Sequence, residues 1–222
     1  MRNKIKAFVE QIAAHVAQPA FDPSRFNDPL AMNTQWTPLV SGGTNIRTHK
    51  LVLIDFNRME FKPSWGSILF CAVFLLTGLG VMIGFIIAGT RSGTSFFQTD
   101  FLMPVVTGLI FTLVGVFLYY TFGKPVVFDN RSGYFWKCWK APDQAFDLNA
   151  MEAYTKLSDI YALQLLSEYV RGNKSSYHSY ELNLVMKDGS RVNVVDHGSH
   201  VKLREDARTL ADFLGKPVWD AI

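Results

Sequence analysis

Two stretches of this chain run for 22 residues each without a charge, and they dictate most of what it can become. "SILFCAVFLLTGLGVMIGFIIA" spans Ser67 to Ala88, and "FLMPVVTGLIFTLVGVFLYYTF" spans Phe101 to Phe122. As helices rising 1.5 Å per residue each would measure about 33 Å, against a hydrocarbon core of roughly 30 Å. A helix of that length packed into a soluble protein keeps a polar face, and neither block has one. Both therefore read as transmembrane helices. Pro104 falls in the first turn of the second, where its missing N–H costs little. Trp65, Tyr119 and Tyr120 lie at the block ends, where amphipathic rings favour the lipid–water boundary. With 66 residues ahead of it, the first block lies too far along for a cleaved signal peptide.

The connection "GTRSGTSFFQTD" is short, so the two helices should pack as an antiparallel hairpin. Gly80 and Gly84 form a G-x-x-x-G pair, and Gly108, Thr112 and Gly115 put small groups on the other helix. Small residues let backbones approach closely in lipid. They predict helix packing within the hairpin, with a dimer contact between two copies as the alternative. Arg47, Lys50, Arg58 and Lys62 precede the first block, and Lys124, Arg131, Lys137 and Lys140 follow the second; the connection holds Arg91 opposed by Asp100. By the positive-inside rule both termini are cytoplasmic. No ionisable residue lies within either block, so an ion path or proton relay is not expected, and the pair reads as an anchor.

After the second block about 100 residues remain, enough for one compact domain. "KPVVFD" and "YFWKCWK" read as strands around the turn "NRSG". "SYELNLVMKDGSRVNVVDH" reads as a hairpin: Tyr180, Leu182, Leu184 and Met186 alternate with Glu181 and Asn183, and Asp188-Gly189 suits a tight turn. "LSDIYALQLLSEYV" fits strand or helix by period, with strand favoured by its flanking strands. Leu203, Ala207, Leu210, Ala211 and Leu214 share one face of a final helix, with Ser199 as N-cap and Gly215 and Pro217 as the stop.

The order "VVFDNRSGYFW", "LSDIYALQLL", a hairpin around "KDG" and the helix "DARTLADFLGKPV" resembles the bacterial membrane-anchored pleckstrin-homology-like (PH-like) domains, in which a pair of transmembrane helices often precedes the domain. The resemblance covers Phe122 to Ile222. It implies an α+β fold, a bent β-sandwich or partial barrel capped by one helix, serving as a cytoplasmic interaction platform without enzymatic activity at the bacterial inner membrane. Arg131 is the only basic residue in the first turn, so a dense pocket for phosphoinositides is not expected.

Ahead of the membrane blocks, "NKIKAFVEQIAAHVAQ" places Ile5, Phe8, Val9, Ile12 and Val16 on one helical face. That stripe would cover the protein's own domain, a partner helix or the bilayer surface. The segment from residue 21 to 66 is broken by Pro, Asp and Gly-Gly and reads as an extended arm, with "HKLVLIDFNRMEFKP" as a short hairpin that could share a sheet with the strands after the membrane. The expected organisation is thus residues 1–20 as an amphipathic helix, 21–66 as the arm, 67–122 as the transmembrane hairpin and 123–222 as the PH-like domain.

Other chemistry finds little support. A net charge of +3 and the lack of a basic run argue against nucleic acid. Asp196, His197 and His200 in "DHGSH" are too few for a metal site, and no nucleotide or hydrolase motif occurs. Cys71 and Cys138 lie in dissimilar contexts and read as reduced packing thiols; no cofactor is expected. The leading expectation is a non-catalytic membrane-anchored adaptor or assembly factor that binds a protein partner. Alternatives are a sensor of anionic lipid, with Lys124, Arg131, Lys137 and Lys140 at the surface, a small subunit of a larger membrane complex, and a homo-oligomer.

Overall fold

The computed structural model describes residues 21–93, 98–142, 153–171 and 175–222. A short helix α1 (Pro29–Asn33) leads to the hairpin β1 (His49–Asp55) and β2 (Arg58–Pro63), then to two long helices, α2 (Trp65–Ser92) and α3 (Thr99–Phe122). Strands β3 (Val126–Asp129), β4 (Tyr134–Lys137), β5 (Ala153–Lys156), β6 (Ile160–Arg171), β7 (Ser176–Met186) and β8 (Arg191–His197) follow, with helix α4 (His200–Leu214) and a last strand β9 (Val218–Asp220). The chain is α+β, with two sheets and two helices long and apolar enough to cross a membrane.

The first sheet has the order β1-β2-β3-β4-β5, all antiparallel, and the second the order β8-β7-β6-β9, with β9 parallel to β6. One core joins them. Phe61, Phe128 and Phe135 come from the first sheet, Leu163, Leu165, Leu182 and Leu184 from the second, and Leu203, Ala207 and Leu210 from α4. The alternation along β7 turns Leu182 and Leu184 inward, as the pleat requires. The amphipathic face of α4 lies against β6, β7, β9 and β1. "LSDIYALQLL" is strand from Ile160 onward, with Leu157–Asp159 as one 3₁₀ turn.

Two expectations need correction. The domain is not confined to residues 123–222: β2 pairs with β3, and Met59 and Phe61 on β2 belong to the main core. The helical hairpin is therefore inserted into a sheet whose strands lie on both sides of it in sequence. Nor is the remainder of the arm merely extended chain. Residues 21–47 run as a strap over the outer face of the second sheet, where Phe26, Leu30, Ala31 and Trp36 pack with Tyr161, Ala162, Val185 and Trp219. Stacked Phe26 and Trp36 rings, 5.4 Å apart, reach the Trp219 ring. This apolar cover contributes to holding the strap, because burying aromatic area is favourable.

The helix contact differs from the glycine pattern in one respect. Gly108 and Gly115 on α3 do meet α2, at Gly78–Met82 and at Leu75, and Thr112 lies against Gly78. Gly80 and Gly84 face open space. At 100° per residue they stand about 200° and 240° around the helix from Gly78, so the small residue facing α3 is Gly78.

Candidate functional site

The outer face of the second sheet presents a row of polar side chains: Gln164 and Glu168 on β6, Glu181 and Asn183 on β7, and Asn193 and Asp196 on β8. In an exposed sheet such residues would be ordinary solvent-facing positions. Here the strap covers much of the row, and Gln164 and Glu181 are 0% and 3% exposed. Buried polar groups need partners, and the strap backbone supplies them to Gln164, Glu181 and Glu168, whereas both side-chain polar atoms of buried Asn183 have no hydrogen-bond partner among the described residues. Gln164 Nε2 donates to the Gln35 carbonyl at 3.0 Å, and Arg191 Nη1 to the Thr37 carbonyl at 2.7 Å. The Glu181 carboxylate accepts the N–H groups of Leu39 and Val40 at 2.8 and 3.1 Å. Glu168 accepts those of Gly42 and Gly43 at 2.9 and 3.1 Å. The glycine pair has a reason: Gly42 has φ +79°, and a side chain on Gly43 would run into Ser179.

Beside the end of this strap a cleft of about 430 Å³ opens between residues 42–45, Thr48 and His49, Lys137 on β4, Tyr177 on β7, Asn193 and Asp196 on β8, and Thr121 and Phe122 in the last turn of α3. Its polar wall is a linked set. Lys137 Nζ lies 3.4 Å from Asn193 Oδ1, and Asn193 Nδ2 donates to Glu181 Oε1 at 2.9 Å and to Asp196 Oδ1 at 3.3 Å. Burial, reinforced by the nearby Glu181 carboxylate, pushes Asp196 up to about 6. The neighbouring His197 is fully buried on the other face of β8; burial and then Arg47 hold it down to about 4, and its Nδ1 accepts the Ser199 N–H at 2.9 Å. The cleft can thus offer a cation, a carboxylate of adjustable charge and several oxygen acceptors within one small volume.

The cleft is also tied to the helices. Ser64 caps α2 by accepting the Ser67 N–H at 3.2 Å and donates to the Arg47 carbonyl. Ser67 Oγ donates to Thr48 O at 3.0 Å, and His49 Nε2 lies 3.3 Å from Lys124 O. After β4, Trp139 Nε1 donates to Tyr120 O at 3.3 Å, with its ring against Tyr119 and Tyr120.

Of the four basic residues expected at one lipid surface, only Lys137 enters the cleft. Lys124 Nζ stands 5.7 Å from the Tyr120 ring, beside the exit of α3, and Lys140 follows Trp139 on the exposed surface. Arg131 lies at the far end of the β3–β4 turn, 3.0 Å from Asp55. The four are spread along the domain because a strand carries the chain away from the helices between Lys124 and Arg131. Ile5, Phe8, Val9, Ile12 and Val16 lie outside the described residues. Asp196, His197 and His200 do not converge, the His200 ring lying tilted against Tyr180 at 5.4 Å; among the described residues no three His, Cys, Asp or Glu side chains form a group that could hold a metal ion. Cys71 and Cys138 are free thiols.

Sequence reasoning missed Glu168, Glu181, Asn193 and Asp196 as one cluster. The usable signal was the aromatic content of the arm, Phe21, Phe26 and Trp36, which has to cover something. No family model matches the chain, and no curated protein or solved structure matches it.

Proposed function

We propose that this protein is a non-catalytic, membrane-anchored adaptor whose cytoplasmic domain, PH-like in architecture, holds a partner protein at a fixed height and orientation over the bilayer. The observation that carries this reading is the junction. The paired strands β2 and β3 continue directly into α2 and α3, and Ser64, Ser67, His49 and Trp139 stitch the two parts together. A flexible tether would need none of these bonds; a platform that must present one face needs all of them.

Membrane insertion is supported by the surface of the helices. Leu69, Leu76, Leu113 and Phe117 are 58–66% exposed, an apolar area that soluble proteins do not leave in water. The arrangement of two sheets sharing a core with a C-terminal helix supports the PH-like reading, with the β1–β2 hairpin, contributed from before the helices, as an addition to it. The basic residues flanking both helices support cytoplasmic termini, and the bacterial inner membrane follows from the resemblance. Anchoring raises the effective concentration of the domain toward membrane partners.

The test is a tagged pull-down of the full chain from mildly solubilised membranes, compared with a chain lacking residues 1–20. The adaptor reading expects a stoichiometric protein partner with the full chain, and loss of it on truncation would put the contact on Ile5, Phe8, Val9, Ile12 and Val16. Absence of any stoichiometric partner would overturn it.

A further inference from the structure

We propose that the cleft between the strap, β4, β8 and the end of α3 binds the headgroup of a phospholipid that carries both a phosphate and a primary amine. The assignment rests on the membrane reading above, because it needs the last turn of α3 to lie at headgroup depth.

Position comes first. Thr121 and Phe122 form one wall of the cleft, and the chain leaves α3 at Gly123. In an inserted helix this is where hydrocarbon gives way to headgroups. One helical face runs down from the cleft mouth: Thr121, then Phe117 and Val114 at spacings of four and seven residues. Phe117 and Val114 are exposed. An acyl chain would continue from the cleft along that stripe, which favours a lipid over a free metabolite with the same head.

The chemistry of the lining selects the head. Tyr177 OH donates to Gly43 O, Thr48 Oγ1 to Asp196 O and Thr121 Oγ1 to Phe117 O. Each hydroxyl hydrogen is therefore engaged and each oxygen keeps lone-pair capacity to accept, with Thr48 Oγ1 sharing its own with His49 Nδ1 at 3.0 Å. With the Asp196 carboxylate and the Asn193 amide, the wall is rich in acceptors and suits an ammonium, which has three N–H donors and no acceptor. Lys137, next to these acceptors with its Nζ 3.4 Å from Asn193 Oδ1, supplies the positive charge that a phosphate requires. A purely anionic head would face Asp196 with Glu181 behind it, and a trimethylated amine would bring no donor to the oxygens. A volume of about 430 Å³ lies within the roughly 300–1,000 Å³ of small-molecule sites.

The experiment uses the full chain in nanodiscs of mixed phosphatidylethanolamine, phosphatidylcholine and phosphatidylglycerol, with retained lipid read by native mass spectrometry. Phosphatidylethanolamine should be retained over phosphatidylcholine by about tenfold or more, the scale of losing charge-assisted hydrogen bonds. Asp196→Asn should abolish that preference while keeping the Asn193 contact, and Lys137→Met should weaken retention of all three lipids. Equal retention of the ethanolamine and choline lipids, or a preference for phosphatidylglycerol, would overturn the assignment. A parallel titration compares a short-chain phosphatidylethanolamine with O-phosphoethanolamine; equal affinity for the two would overturn the lipid source. Alkaline carbonate extraction separates the premises. A chain that stays in the membrane but shows no head selectivity sinks only the cleft assignment, and a chain released by carbonate sinks the anchoring on which it stands.

Discussion

Gly78 and Gly108 meet backbone to backbone: a methyl group on Gly78 would come within 2.6 Å of the Gly108 carbonyl oxygen, and one on Gly108 within 2.7 Å of the Gly78 carbonyl oxygen. Buried positions fall at spacings of four, seven and eleven on α2 (Ser67, Cys71, Gly78 and Gly89) and of seven on α3 (Phe101, Gly108 and Gly115), compatible with the 3.5-residue repeat of a left-handed helix pair. Gly78→Leu and Gly108→Leu should each destabilise the hairpin by at least the roughly 1–3 kcal/mol typical of overpacking. Gly80→Leu and Gly84→Leu, on the outward face, should stay within about 0.5 kcal/mol. Unfolding of the full chain in mixed detergent micelles checks this; equal losses at Gly78 and Gly80 would mean that α2 turns a different face to α3.

Glu181 is the clamp on the strap. Its carboxylate accepts from Leu39 N, Val40 N and Asn193 Nδ2, so Glu181→Ala leaves three donors without that acceptor, at roughly 1–3 kcal/mol for each one that stays buried. Glu181→Gln keeps one acceptor oxygen and should lie between the alanine variant and the wild type. Limited proteolysis reads the effect locally. Chymotryptic cleavage at Trp36 and Leu39 should accelerate in the order wild type, glutamine, alanine, while α2 and α3 remain protected in detergent. An unchanged cleavage rate in the alanine variant would show that the aromatic contacts of Phe26 and Trp36 hold the strap without the carboxylate.

Ser64 does two tasks at the junction, capping α2 through the Ser67 N–H and donating to the Arg47 carbonyl. Ser64→Ala should cost about 1–2 kcal/mol, the scale of a lost N-cap, and Ser64→Thr should recover most of it. Thermal unfolding of the full chain in detergent, followed by far-ultraviolet circular dichroism, tests the pair. An alanine variant as stable as the wild type would remove this serine from the coupling between domain and helices.

What the sequence made legible follows from how local each signal is. The two apolar helices are visible in any window because no charge interrupts them. The hairpin around Asp188-Gly189 is visible because Leu182 and Leu184 alternate with Glu181 and Asn183 ahead of the turn. The role of the strap is invisible locally: Glu181 looks like an outward, solvated residue, and the groups that bury it are backbone N–H donors 142 and 141 residues away. The G-x-x-x-G pair misleads for a related reason. It marks a surface where a backbone could approach, but the register of α2 against α3 is set by the partner helix, where Gly108 selects Gly78. β2 and β3 each show strand character, yet their pairing spans the whole helical hairpin and rests on the shared core around Phe61 and Phe128.

Asp196 and His197 are adjacent and titrate in opposition. Asp196 is held up at about 6, against about 3.9 in an unfolded chain. Between those values the folded protein keeps a proton that the unfolded chain has released, so stability falls as pH rises from about 4 to about 6. His197 is held down to about 4, against about 6.5 unfolded. Over that interval the unfolded chain carries a proton that the folded protein lacks, so stability rises with pH from about 4 to about 6.5. The two slopes largely cancel, and the contribution of this pair should be nearly flat with pH in the wild type. Asp196→Asn removes the first slope. The variant should match the wild type near pH 4 and exceed it near pH 7 by a margin of order 1–3 kcal/mol. Denaturant unfolding of the full chain in detergent, at intervals of about one unit between those limits, reads both curves. Curves that stay parallel throughout would mean that the Asp196 carboxylate is as well stabilised in the folded cleft as in water, and the acceptor wall would then lack the strained negative charge on which its preference for an ammonium depends.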